Sequence, residues 1–359
     1  MEYRLTDLCE LIMGQSPDSS SCNKDGKGIP FYQGNADFGE KNPTPRNWCL
    51  QPKKIAQKDD ILISVRAPIG DLNIANEDCC IGRGVAAIRM KSKECDRDYL
   101  YLFLESKSKY LQDCGTGSTF TAINKGVLES LKVKCPELKN QTSIANEIEN
   151  IKAAIKYKNS ELICLNEAVQ SEFVEMFGEN PVESGKWKVA KWADKVRITN
   201  GRDYKKLVVK TGLYPVYGSG GDMGIRVDDY LCSENTVIIG RKGNIDKPIF
   251  VKEKFWNVDT AFGLNVDESE INPYYFFEHS KKYNYRSMDT GVTIPSLTKT
   301  ALFELKLAIP PLDLQNQFAA FVQQIDKSKF VLQQQLQFIK KYDIMTSRRK
   351  ICFYTTAAT

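Results

Sequence analysis

The string most suggestive of catalysis is Asn272-Pro273-Tyr274-Tyr275. It is similar to an N-P-P-[YF] loop, in which the Asn and backbone groups hold the amino group of a target base. Here a second Pro is missing, and no Gly-rich loop follows a strand in the way a nucleotide-type cofactor requires. The equivalent stretch in the other half of the chain, Asp98-Tyr99-Leu100-Tyr101, reads as a helix start, a place where Pro is at home. Asp25-Gly26-Lys27 has the acid-x-Lys shape of a nuclease fragment, but it stands alone in a polar loop. Neither a G-x-x-x-x-G-K-[ST] phosphate loop nor a G-x-S-x-G elbow occurs. The one histidine, His279, argues against a His-based zinc site or a catalytic triad. These residues point to a binder rather than an enzyme.

The polar, aromatic and Gly-rich strings suit nucleic-acid contact. Phe31–Gly39 and Tyr214–Asp222 occupy equivalent places in the two halves. Gln33, Asn35, Asp37, Tyr217 and Ser219 in them could read base edges or phosphates, and their glycines permit close approach. The alternative is a pair of hairpin turns with structural aromatics. Two short β-branched runs, Ile61–Arg66 and Thr236–Arg241, read as strands ending in an arginine before a tight turn that in the second half carries Lys242 and Asn244. A strand-end Arg is a rigidly based donor fork suited to guanine or phosphate, or else half of an internal salt bridge. Thr116, Ser118 and Thr119 in T-G-S-T, and Thr290 and Thr293 in T-G-V-T, complete the candidate contacts. Between Lys186 and Lys210 stand nine Lys/Arg against two Asp, either a solvated face or a phosphate-positioning stretch.

These strings recur because the chain repeats itself. Thr116 falls on Thr290, Leu131 on Leu305, Pro136 on Pro310, Gln141 on Gln315 and Ala145 on Ala319, all at one constant offset. The period is far too long for a solenoid, so a whole domain plus helix is duplicated. At 359 residues with 42% apolar and 26% charged content, two ordinary cores fit. Net charge is only +5. Eleven scattered cysteines without C-x-x-C read as reduced thiols of a cytosolic protein. No apolar stretch long enough for a membrane span appears, and the acidic start does not resemble a signal peptide.

After Pro136 and Pro310 the apolar period changes. Ile148, Ile151, Ile155, Leu162 and Leu165 fall on a and d positions of one heptad frame, interrupted by Lys158 and Glu172. Val322, Ile325, Leu332, Leu336 and Ile339 occupy the same frame in the second copy, with Lys329 and Asp343 intruding. The pattern predicts two long helices pairing as an antiparallel coiled coil. Phe173, Phe177 and Phe338 are expected on outward faces, open to a partner, the alternative being that they pack on their own domains. The expected organisation is α+β: a mixed α/β domain over 1–138, a long helix over 139–178, a second domain over 179–312, a second helix over 313–351, and a tail over 352–359.

Leu128–Ala145 and Leu302–Ala319 both fit L-x-x-L-x-[VL]-x-x-P-x-L-x-x-Q-x-x-[IF]-A. In this order and duplicated, the chain resembles the specificity subunit of type I restriction-modification systems over nearly its whole length. That family often has an acidic residue before the Gln, where this chain has Asn140 and Leu314. The resemblance implies two target recognition domains, each reading one half of a split, asymmetric site in double-stranded DNA. It implies helices that set the spacing and dock two methyltransferase subunits. S-adenosylmethionine would be bound on those subunits and no cofactor on this chain; translocase-nuclease subunits would add restriction. Cytoplasmic location and no membrane contact are expected. The alternatives are a duplicated protein-binding scaffold and an autonomous adenine methyltransferase.

Overall fold

The computed structural model describes residues 1–116, 121–209 and 211–347. It divides into one unit of Met1–Tyr157 with the chain from Gln335 onward, and another of Lys158–Gln334. Both dividing points fall inside long helices.

In the first unit Val85–Met90 lies between Cys9–Met13 and Ile61–Ser64, and Leu72–Ile74 completes a four-stranded antiparallel sheet. Ile61 and Ile63 face a core containing Leu5, Tyr99 and Phe103, whereas Leu62 faces a smaller one containing Tyr32 and Val85. Burial on both faces is why this run is apolar throughout instead of alternating. Glu2–Arg4 pairs antiparallel with Lys132–Lys134. A second sheet of short strands carries Ile29–Tyr32 parallel to Cys79–Ile81.

The second unit repeats this plan. Ala261–Val266 lies between Val196–Asn200 and Thr236–Gly240, with Ile249–Val251 outside. Val237 and Ile239 face one core and Ile238 another. Lys188–Lys191 pairs with Lys306–Ile309. The units differ in the added layer, which here is a three-stranded sheet centred on Tyr214–Gly218.

A buried glutamine ties each long helix to its domain. Gln141 Oε1 accepts the Asp96 N–H at 2.8 Å, and Nε2 donates to Glu94 O and Pro136 O. Gln315 makes the same three bonds, to Asn272 N–H, Glu270 O and Pro310 O. Both are fully buried. Tyr99 and Tyr275 add matching hydroxyl bonds to Lys134 O and Ala308 O. The structural partner of Asn272 is therefore Asp96, not Asp98: the constant sequence offset slips here, because it is Asp96 that caps Arg97–Ser106.

The long helices are Leu138–Phe177 and Leu312–Ser347. In the first unit, the beginning of one and the end of the other line a shared groove, with Asn150, Ile151 and Ala154 on one side and Phe338, Ile339 and Tyr342 on the other. The Tyr342 hydroxyl lies 3.2 Å from Glu147 Oε1. In the second unit the end of the first helix meets the beginning of the second, with the Phe173 and Phe318 rings 5.5 Å apart. The pairing is antiparallel.

The apolar stripe does more than pair helices. Ile148 lies in the first unit's core and Val322 in the second's, with Ile325 against it, because each helix must first cover its own domain. Ile151, Ile155, Leu162, Leu165, Leu332 and Ile339 are half-buried, and Leu336 is buried. Lys158 sits 2.9 Å from Glu161, and Lys329 lies 3.9 Å from Asp326, so both intruding cations are matched by a carboxylate on their own helix. The outward placement of Phe173 and Phe177 is corrected: both are buried and stacked around Tyr275 and Phe318, where large apolar area leaves water. Phe338 is exposed.

Candidate nucleic-acid interface

In the first unit, Ile61–Ser64 runs on through Val65 to Arg66. The Ile123 N–H donates to Val65 O, and Ala122 forms bridges with both Arg66 and Thr116. The strand end and Thr116 therefore share one neighbour, Ala122. Ser118 and Thr119 fall outside the described residues.

Arg66 opens onto a cleft of about 480 Å³, also lined by Gln33, Asn35, Arg46 and Arg83. Gly84 permits this, since a Cβ there would come within 2.2 Å of Gln33 O. Gln33 is exposed. Asn35 is held by its amide, which donates to the Asp71 carboxylate. Asp37 is buried rather than presented to a ligand; it accepts the Gln33 N–H at 2.8 Å and anchors Arg46. Among the described residues no carboxylate pairs with Arg66 or Arg83. Two free guanidiniums and a third tethered one make the cleft electropositive.

The second unit presents the same junction. The Leu297 N–H donates to Arg241 O, the Gly243 N–H donates to Pro295 O, and Lys242 bridges Ser296. Thr290 bonds Ser296 O through both its N–H and its hydroxyl. Gly291 is required for the tight turn, because a Cβ would lie 1.9 Å from Ile294 O. Arg241 is exposed, with Nη1 3.4 Å from Asp259 O and the guanidinium 5.9 Å from the Phe262 ring. Among the described residues it has no carboxylate partner. Ser219 and Asn244 converge on the glycines beside it, Ser219 next to Gly240 and Gly243, and Asn244 next to Gly220. Thr293 is exposed. Tyr217 departs from the group. Its ring packs against Phe255 at 5.3 Å in a small core, and burial raises its hydroxyl pKa.

Arg46 and Arg83 escaped sequence reasoning. Gly82-Arg83-Gly84 carried a readable signal, an arginine between two glycines. Arg46 carried none, because its anchor Asp37 is linked to it only by folding.

Asn272 serves the helix Pro273–Ser280. Its side chain accepts the Tyr274 N–H at 2.9 Å and donates to Asn316 Oδ1 at 2.8 Å. Those bonds occupy both ends of the amide in structural work. Among the described residues no cluster of His, Cys, Asp or Glu could hold a metal ion, and no helix is long and apolar enough to cross a membrane.

The family model for the type I restriction modification DNA specificity domain matches residues 1–166 and again residues 184–341. The chain belongs to that family. It carries that DNA specificity domain twice, which disfavours both the scaffold and the methyltransferase alternatives. A Methanocaldococcus jannaschii protein assigned as the MjaX type I restriction enzyme specificity subunit is 43% identical over 152 residues, covering 42% of this chain and 36% of that protein. The chain thus spans only about a third of that relative's length. The MjaIX specificity subunit of the same organism is 22% identical over 94% of this chain and 89% of its own. The crystal structure of a type I restriction-modification S subunit from M. genitalium superposes with a TM-score of 0.68 at 16% identity, covering 98% of this chain and 96% of that one, which shows the common fold.

Proposed function

We propose that each unit reads one half of a bipartite, asymmetric site in double-stranded DNA, and that the paired helices set the number of unread base pairs between the halves. The observation that carries this is the repeated junction. In each unit a strand-end arginine, without a carboxylate partner among the described residues, lies beside the segment that carries the Thr: Arg66 and Thr116 both bridge Ala122, and Arg241 O accepts the Leu297 N–H next to Ser296, the partner of Thr290. Cations based on rigid strands can position phosphates, and their donor forks can read base edges.

On this reading two methyltransferase subunits dock along the helices. They bring S-adenosylmethionine and the base-flipping chemistry of adenine methylation, and translocase-nuclease subunits join where the system also restricts. The chain itself binds no cofactor, contributes only recognition, and works in the cytoplasm. The test is co-expression with a methyltransferase partner, followed by mass measurement of the complex and mapping of methylated adenines. The expected result is two partners per chain and methylation at one split sequence. DNA affinity that does not change with salt would favour a protein-binding scaffold instead. Methylation by the chain alone would overturn the division of labour.

A further inference from the structure

Among the three cleft arginines of the first unit, Arg46 stands in a distinct situation. Its Nε and Nη2 both donate to Asp37 Oδ1, at 2.8 and 2.6 Å. The Asp37 side chain is 2% exposed, whereas that of Arg46 is 58% exposed. Asp37 is itself fixed, since its other oxygen accepts the Gln33 N–H and its carbonyl accepts the Thr44 N–H. A guanidinium gripped along its Nε–Nη2 edge cannot rotate freely. Its outer edge, with one N–H from each Nη, still points away from the anchor as a fork of two parallel donors.

Such a fork matches one base edge best. In the major groove guanine offers two adjacent acceptors, N7 and O6, whereas adenine and thymine each offer one acceptor and cytosine offers a donor. A phosphate also accepts a fork, but attracting it needs charge more than a fixed edge, and Arg66 and Arg83 beside it supply two cations without a carboxylate anchor among the described residues. Holding one arginine on a buried carboxylate removes side-chain entropy before binding, which favours discrimination over general attraction.

We propose that Arg46 is a specificity-determining residue of the first unit, reading a guanine in its half-site, with Asp37 as the positioning residue and Arg66 and Arg83 engaging the flanking backbone. This rests on the reading of that unit as a DNA half-site reader.

The test selects bound duplexes from a randomised bipartite library, using the chain assembled with its methyltransferase partner. Wild type, Arg46→Lys, Arg46→Ala and Arg83→Ala are compared. Arg46→Lys keeps a cation beside the buried Asp37 carboxylate while losing the fork, whereas Arg46→Ala leaves that carboxylate unpaired, so the urea midpoint of each variant is measured alongside and Arg46→Lys carries the test if Arg46→Ala unfolds. The expected result is loss of one G·C preference in one half only, with discrimination at that position falling roughly 5- to 150-fold. Arg83→Ala should weaken all sequences alike and reduce the salt slope. Asp37→Asn, read in the same selection if it folds, should relax the same position. A wild-type motif that Arg46→Lys leaves intact, or that weakens uniformly, overturns the assignment while leaving the half-site reading standing. A wild type that selects no sequence at all overturns both.

Discussion

Replacing Gln315 by Leu should destabilise the second unit far more than a single surface-to-apolar change would suggest. The substitution roughly keeps the side-chain volume and removes the carboxamide. Three backbone groups then lose their partner: the Asn272 N–H at 2.8 Å, Glu270 O at 3.1 Å and Pro310 O at 2.8 Å. Gln315 is fully buried, so no bulk water stands ready to replace it. A buried group stripped of its hydrogen bond costs about 1–3 kcal/mol, which sums to about 3–9 kcal/mol for three. Leu avoids the desolvation of the carboxamide, and the helix start can shift to recover part of the loss, so about 3–5 kcal/mol is expected. Urea unfolding of the full chain, followed by tryptophan fluorescence, measures it. Trp187, Trp192 and Trp256 all lie in the second unit and only Trp48 in the first, so the signal reports mainly on the domain being perturbed. A loss under about 1 kcal/mol with an unchanged denaturant slope would refute the reasoning, because the three bonds would then be dispensable.

Three further outcomes follow from the same structure. His279 is buried against Phe173, Tyr275 and Tyr283, with Nδ1 lacking a partner, and burial lowers its pKa from 6.5 to about 4. The unfolded chain therefore binds the extra proton first as pH falls below 6.5, so the stability present above that pH declines, by on the order of 3 kcal/mol by pH 4. His279→Gln should flatten that part of the pH profile of urea midpoints, and an unchanged slope would exclude His279 as its source. Leu336→Ala should cost about 2–4 kcal/mol, whereas Leu162→Ala, at a half-buried position, should cost about half as much; equal losses in thermal unfolding would contradict the unequal burial. Arg241→Ala should relax one position of one half-site and cost roughly 1–3 kcal/mol in binding to the preferred sequence, measured by titrating labelled duplexes; equal weakening on all sequences would mean a phosphate contact instead.

The duplication, both helices after Pro136 and Pro310, the existence of the strands Ile61–Ser64 and Thr236–Gly240, and the family were legible in the order of residues alone; that both faces of those strands are buried was not. These rest on local rules: a short β-branched apolar run between turn formers reads as a strand, and a period of three and a half residues shows which face of a helix is buried. The helix start at Asn272-Pro273 was legible too, because Pro suits the first helical position. Tertiary structure decided what single side chains do. Phe173 and Phe177 continue an amphipathic helix in either reading, and only the arrival of Tyr275 and Phe318 makes them core. Asp37 and Tyr217 looked like surface contacts until folding enclosed one beneath Arg46 and the other against Phe255. Arg46 carried no pattern at all, because its fork is fixed by a carboxylate nine positions away across a loop rather than by the periodicity of an element. Periodicity fixes which face of a helix or strand is buried, whereas loop side chains take their roles from whatever the fold brings beside them.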